Sequence, residues 1–152
     1  MNEPQQPVIK PAVREEIMAR LAAAEREHGV RILMAVESGS RAWGFPSPNS
    51  DYDVRFVYAH PRDWYLSLDL EDRRDVIEYE ITDDIDLNGW DLRKALKLFA
   101  RSNPSFVEWI QSPIVYRDDA GFAERARELL PRVYAVDSGV FHYRSMADKN
   151  FH

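Results

Sequence analysis

The sequence predicts an α+β fold, one sheet with helices packed against it. Three observations carry that expectation. A helical pattern opens the chain, four strand-like runs follow in a block, and helical patterns close it. Strands in a block followed by helices favour an α+β fold. The length, 152 residues, suits one domain with a single core.

Each element has a local cause. Residues 1–10 form a flexible lead-in, because Pro4 and Pro7 punctuate a polar stretch. From Pro11 to His28, Val13, Ile17, Leu21 and Ala24 recur at helical spacing, with Pro11 suited to the first turn and Gly29 to the stop. Arg31–Glu37 is a short apolar run that fits a buried strand and ends in Ser38-Gly39-Ser40. Gly44, Pro46, Pro48 and Asn49 make a loop that follows about one helical turn. Asp51–Tyr58, rich in aromatic and β-branched residues, is the second strand, and Pro61 ends it. Asp63–Arg74 is heavily charged and ambiguous. Asp75–Ile81 and Asp83–Asn88 are two further strands around a turn at 82–84. A helix runs from Asp91 to Ser102 on Leu92, Ala95, Leu96 and Phe99, and Asn103-Pro104 starts another that Ser112-Pro113 stops. Ile114–Tyr116 is extended, and Phe122–Leu130 and Val136–Lys149 are helical.

Composition excludes several classes of function. The chain has no cysteine, so it has no disulfide partner, no thiol nucleophile and no cysteine-held zinc. Twenty Lys and Arg against 26 Asp and Glu give a net charge of −6, which argues against a generally basic nucleic-acid surface. No apolar run approaches the roughly 20 residues that span a bilayer, and the polar start holds no signal-peptide core. A soluble, cytoplasmic chain is the expectation.

The chemistry concentrates at Gly39-Ser40 and, after the loop, at Asp51-Tyr52-Asp53. Side chains at i and i+2 of a strand share a face, so Asp51 and Asp53 project together. Paired carboxylates repel unless a cation sits between them. An oxygen-only set fits Mg²⁺ or Mn²⁺, and two such ions form the clamp used in phosphoryl and nucleotidyl transfer. Gly39 permits close approach to a phosphate, and Ser40 can present its hydroxyl and N–H to phosphate oxygens. Asp86, between Ile85 and Leu87, is the candidate third acid, because Ile85 and Leu87 face the core while Asp84, Asp86 and Asn88 share the other face.

The stretches Gly39-Ser40-Arg41-Ala42-Trp43-Gly44 and Ser50-Asp51-Tyr52-Asp53-Val54-Arg55 resemble the nucleotidyltransferase superfamily typified by DNA polymerase β. They are closer to a bacterial branch of it, in which Asp86–Lys94, Ser102-Asn-Pro104, Glu108-Trp109 and Ser112-Pro113 also recur. The resemblance covers roughly Ile32 to Tyr116. It implies a small mixed sheet with helices on one face, spanning residues 11–116 and followed by a helical extension over 117–152. Such proteins often continue into a further helical region that helps bind nucleotide or acceptor. This chain, ending at Asn150-Phe151-His152, is then either minimal or a fragment.

The resemblance also assigns roles. Gly39 and Ser40, with Arg41 beside them, hold the phosphates of an NTP, ATP being the expected donor. Asp51 and Asp53 bind both divalent ions, and Asp86 holds one and helps deprotonate the attacking hydroxyl. The expected reaction moves a nucleoside monophosphate to a hydroxyl of an RNA, protein or small molecule and releases pyrophosphate. The alternatives are a nucleotide-binding regulator without turnover and an antitoxin-like interaction module.

Other residues read more plainly. Asp83 and Asp84 form a charged turn. Arg41 and Arg55 either neutralise a triphosphate or pair with nearby acids. Arg93, Lys94, Lys97 and Arg101 read as a solvated helix face rather than a polynucleotide track. Trp43 can stack on a base, whereas Trp90 and Trp109 are core anchors. The four histidines show no metal-ligand spacing.

Overall fold

The computed structural model describes residues 9–44 and 50–133. A helix, α1 (Pro11–His28), leads into the antiparallel pair β1 (Arg31–Glu37) and β2 (Tyr52–Ala59). Two short 3₁₀ turns, Arg62–Leu66 and Leu70–Asp72, occupy the charged stretch. Then come β3 (Val76–Glu78), β4 (Ile85–Asp91), α2 (Leu92–Ala100), α3 (Pro104–Ile110), β5 (Val115–Asp118) and α4 (Phe122–Val133). The sheet order is β3-β4-β2-β1-β5. It is mixed: β2 and β4 run parallel, and the other pairs are antiparallel. None of the described helices is long and apolar enough to cross a membrane.

α1 begins on Pro11 and closes on Gly29, whose φ of 63° is the left-handed cap that glycine takes without cost. Asp83 and Asp84, with φ of 53° and 60°, make the tight two-residue turn before β4, and Arg20 holds Asp83 at 2.7 Å. Asn103 caps α3, its side chain accepting from the N–H groups of Ser105 and Phe106.

Two boundaries differ from expectation. β3 is only three residues long, and β4 continues through Gly89-Trp90-Asp91. The parallel register carries β4 as far as Tyr58↔Asp91, giving backbone partners to residues whose local propensity is poor. Asp91 is therefore the N-cap of α2 rather than its first residue, its carboxylate accepting from the Arg93 N–H at 2.8 Å. The expected helix over Val136–Lys149 lies outside the described residues.

The helices cover both faces of the sheet rather than one. Ile17 and Leu21 of α1 pack with Ile32, Val54, Phe56, Tyr58 and Leu87. Phe99, Phe106, Ile110 and Ala126 of α2, α3 and α4 pack with Met34, Val36 and Val57. The cause lies in β1, apolar on both sides, and in Val57 of β2, which need cover on the second face as well. Asp53 and Arg55 alternate with Val54 and Phe56, which places them on the α2–α4 face at the start of β2.

Candidate active site

The site forms where β1 ends and β2 and β4 begin. The parallel register sets Asp53 directly against Asp86, and Arg55 against Asn88. Residues i and i+2 share a face, so Asp53, Arg55, Asp86 and Asn88 form one cross-strand group. Arg55 Nη2 donates to Asp86 Oδ2 at 3.0 Å and lies 4.0 Å from Asp53 Oδ1. Its Nη1 also donates to the carbonyls of Val54 and Asp86, both at 3.0 Å. Asn88 Nδ2 donates to Asp86 Oδ1 at 2.6 Å. Of the two readings open for Arg55, this structure shows the pairing with acids.

Asp51 sits just before β2, two residues from Asp53. Burial holds the Asp53 carboxyl above the usual range, and the charges of Asp86 and Asp51 push it the same way against the pull of Arg55 and Arg41. Asp53 and Asp86 thus face each other across the strands with the Arg55 guanidinium beside them, and Asp51 acts on Asp53 through its charge.

The Gly39 corner shapes the wall. A Cβ built on Gly39 would lie 2.0 Å from Asp53 Oδ2 and 2.9 Å from its Cγ. The Asp53 carboxylate thus occupies the place of the missing side chain, and a Cβ there would displace it. The chain then turns tightly, Ala42 N–H to the Gly39 carbonyl at 3.0 Å and Trp43 N–H to that of Ser40 at 3.2 Å. Ser40 is exposed on this turn. Arg41 lies 4.0 Å over the ring of Tyr52 and donates from Nη2 to the Ser50 carbonyl at 2.8 Å. Its buried Nε has no hydrogen-bond partner among the described residues. Trp43 stays half-exposed beside it.

Glu37 escaped the sequence reading. It is fully buried at the end of β1. Its Oε1 accepts from the Asp53 N–H at 2.9 Å and its Oε2 from the Tyr116 hydroxyl at 2.8 Å. Burial raises its carboxyl above the ordinary value, against the two hydrogen bonds that lower it. A charged residue at the end of an apolar run reads as a solvent-facing strand end, and no local signal says otherwise.

The other cations behave as the plainer reading has it. Arg93 pairs with Glu71, Lys97 stands 3.7 Å from the same carboxylate, and Lys94 3.8 Å from Asp75. Arg93, Lys94 and Lys97 on that helix face thus each have an acidic neighbour, Glu71 or Asp75. Trp90 and Trp109 pack together at 4.2 Å between ring centroids.

With this geometry in view, the likeness to known proteins becomes decisive. The family model described as the RNA repair pathway DNA polymerase beta family (RlaP) matches residues 13–152. The chain belongs to this family. It is also 48% identical over 138 residues to the uncharacterized protein YcgL of Bacillus subtilis (strain 168), a match covering 91% of this chain. The chain spans about half the length of that curated relative, 52% of it being matched. Family membership implies a nucleotidyltransferase-like protein, and members of the polymerase β family typically use divalent metals.

The residues fit such an ion in chemistry. The donors are all carboxylate oxygens, which suit Mg²⁺ or Mn²⁺. Asp53 and Asp86 already hold a cationic group, the Arg55 guanidinium, between them. No three acidic or imidazole side chains among the described residues stand together as a ready-made metal cage.

Proposed function

We propose that this chain transfers a nucleoside monophosphate from an NTP to a hydroxyl acceptor and releases pyrophosphate. The observation that carries the reading is the parallel register that sets Asp53 against Asp86, with Gly39 hollowed to admit the Asp53 carboxylate. Asp51, Asp53 and Asp86 would hold the divalent ions, which when bound stabilise charge on the attacking and leaving oxygens. Gly39, Ser40 and Arg41 line the approach to the phosphates, and the unpartnered Arg41 Nε is a donor in need of an acceptor such as a phosphate oxygen.

In the reaction the acceptor oxygen bonds to the α-phosphorus, the bond from that phosphorus to the bridging oxygen breaks, and pyrophosphate leaves with both bonding electrons. Asp86 helps take the proton from the attacking hydroxyl. Catalysis here is positioning plus charge stabilisation. Arg55, whose Nη2 donates to Asp86 Oδ2 at 3.0 Å, would turn its guanidinium to phosphate charge once a nucleotide is bound.

An RNA end is the acceptor favoured by the family description, which names an RNA repair pathway. ATP is the proposed donor. The test is pyrophosphate release from each NTP with Mg²⁺, offered RNA with free 3′ hydroxyls, protein and small-molecule acceptors. Release that depends on RNA supports the reading in full. Tight binding of Mg²⁺-NTP with no release from any acceptor favours a nucleotide-binding regulator instead.

A further inference from the structure

Three consecutive residues grip three different parts of Asp53. Glu37 Oε1 accepts from the Asp53 N–H at 2.9 Å. Ser38 donates to the Asp53 carbonyl from its own N–H at 2.8 Å and from its hydroxyl at 3.2 Å. Gly39 leaves the space that the Asp53 carboxylate fills. Glu37 is in turn tied to the far side of the sheet. The Tyr116 hydroxyl donates to its Oε2 at 2.8 Å, and Ser112 Oγ donates to its carbonyl at 2.6 Å.

A buried carboxylate is a costly way to end a strand. It persists where its oxygens are satisfied and where a shorter side chain would not reach the same donors. Here the acceptor goes to the backbone of the residue whose side chain faces the site. Asp53 is thus located by its peptide from one side of the sheet while its carboxylate works on the other.

We infer that Glu37 is a positioning residue for nucleotide and metal binding, acting through the Asp53 backbone, with Tyr116 fixing the Glu37 carboxylate. The inference rests on the nucleotide-site reading above. It assigns to the Ser112-Pro113 turn and β5, which carry no site residue, the task of bracing the acid from behind. Reach, not charge, is what Glu37 supplies: an acceptor at the right distance for the Asp53 N–H.

Reach and charge separate in two variants. Glu37→Gln keeps the length, its carbonyl oxygen accepting from the Asp53 N–H and its amide donating to the Tyr116 oxygen. Glu37→Asp keeps the charge and loses one methylene of reach. The measurement is the dissociation constant for Mn²⁺ and for Mn²⁺-ATP by titration calorimetry, on protein shown by circular dichroism to be folded. Amide exchange of Asp53, read by NMR, accompanies it. Glu37→Gln should stay within about threefold of wild type, while Glu37→Asp should lose about tenfold or more and exchange the Asp53 amide faster. Tyr116→Phe keeps the ring packing and should weaken binding in the same direction by less, and it carries the test if Glu37→Asp does not fold. Wild-type affinity in both Glu37→Asp and Tyr116→Phe would overturn the inference, as would Glu37→Gln being the weaker of the two Glu37 variants. If wild-type protein binds neither probe, the nucleotide-site reading falls and this inference falls with it.

Discussion

Gly39→Ala separates site geometry from stability, because the contact it makes is known. The new Cβ would arrive 2.0 Å from Asp53 Oδ2, where ordinary contact begins near 3.4 Å. The backbone of Gly39 is not among the positive-φ positions, so alanine brings no conformational strain. The atom in the way is the end of an aspartate side chain, which can rotate. The carboxylate must therefore move by about 1.4 Å or more. A shift of about 1 Å in a reacting group can cost about a hundredfold in rate. Folding should change little, within about 1 kcal/mol, because stiffening the unfolded chain offsets part of the crowding. Gly89→Ala is the contrasting control. Its Cβ would lie 2.3 Å from the ring of Phe56, a fully buried side chain. Overpacking of that kind costs about 1–3 kcal/mol, and the folded remainder should bind nucleotide normally. The assay is paired: thermal unfolding, and magnesium-dependent NTP binding or pyrophosphate release. Equal loss of stability in both variants, or full nucleotide binding in Gly39→Ala, would refute the claim that Gly39 exists to admit the Asp53 carboxylate.

Two further outcomes follow. Arg55→Gln leaves Asp53 and Asp86 facing each other without their guanidinium, whose partners are about one-fifth exposed in the Arg55–Asp86 pair. Stability without metal should fall by about 1–3 kcal/mol, and added Mg²⁺ should restore more in the variant than in wild type, as chemical denaturation with and without the ion will show. His60 stacks on Trp64 at 3.9 Å, and burial lowers its pKa below the ordinary 6.5. The unfolded chain then binds its proton at higher pH than the folded one. Stability carried by neutral His60 is complete above 6.5 and is lost as pH falls toward the folded value. His60→Phe keeps the stacking and should flatten that slope in denaturation measured across pH 5–8.

How much of this was legible in the sequence depends on how local the cause is. α1 was readable to the residue because Pro11 and Gly29 punctuate it. Asp53 and Asp86 were readable as candidates because each alternates with apolar neighbours on its strand. That Asp86 could sit beside the first two acids was part of the same expectation; the register that sets it directly against Asp53 was not, since it depends on how β4 pairs parallel to β2. β4 runs past the expected end at Asn88 through Gly89, which Phe56 packs over and needs bare. The helices were expected on one face, but Val57 and Val36 look the other way from Phe56 and Ile32 and call α2–α4 over. Glu37 was invisible because the group that buries it, Tyr116, lies 79 residues away. Arg55 was left between two fates that only the Asp86 carboxylate beside it could decide.

The central claim is a metal-dependent nucleotide site built on Asp51, Asp53 and Asp86. Thermal unfolding with each NTP, with and without Mg²⁺, tests it most directly beside an Asp51→Asn/Asp53→Asn variant. Ligand at about 100 times its dissociation constant adds roughly 2.7 kcal/mol, a rise of about 5–11 °C for a domain of this size. The account predicts that rise only with Mg²⁺ present and its loss in the variant. A rise that persists in the variant, or none with any NTP, would contradict it.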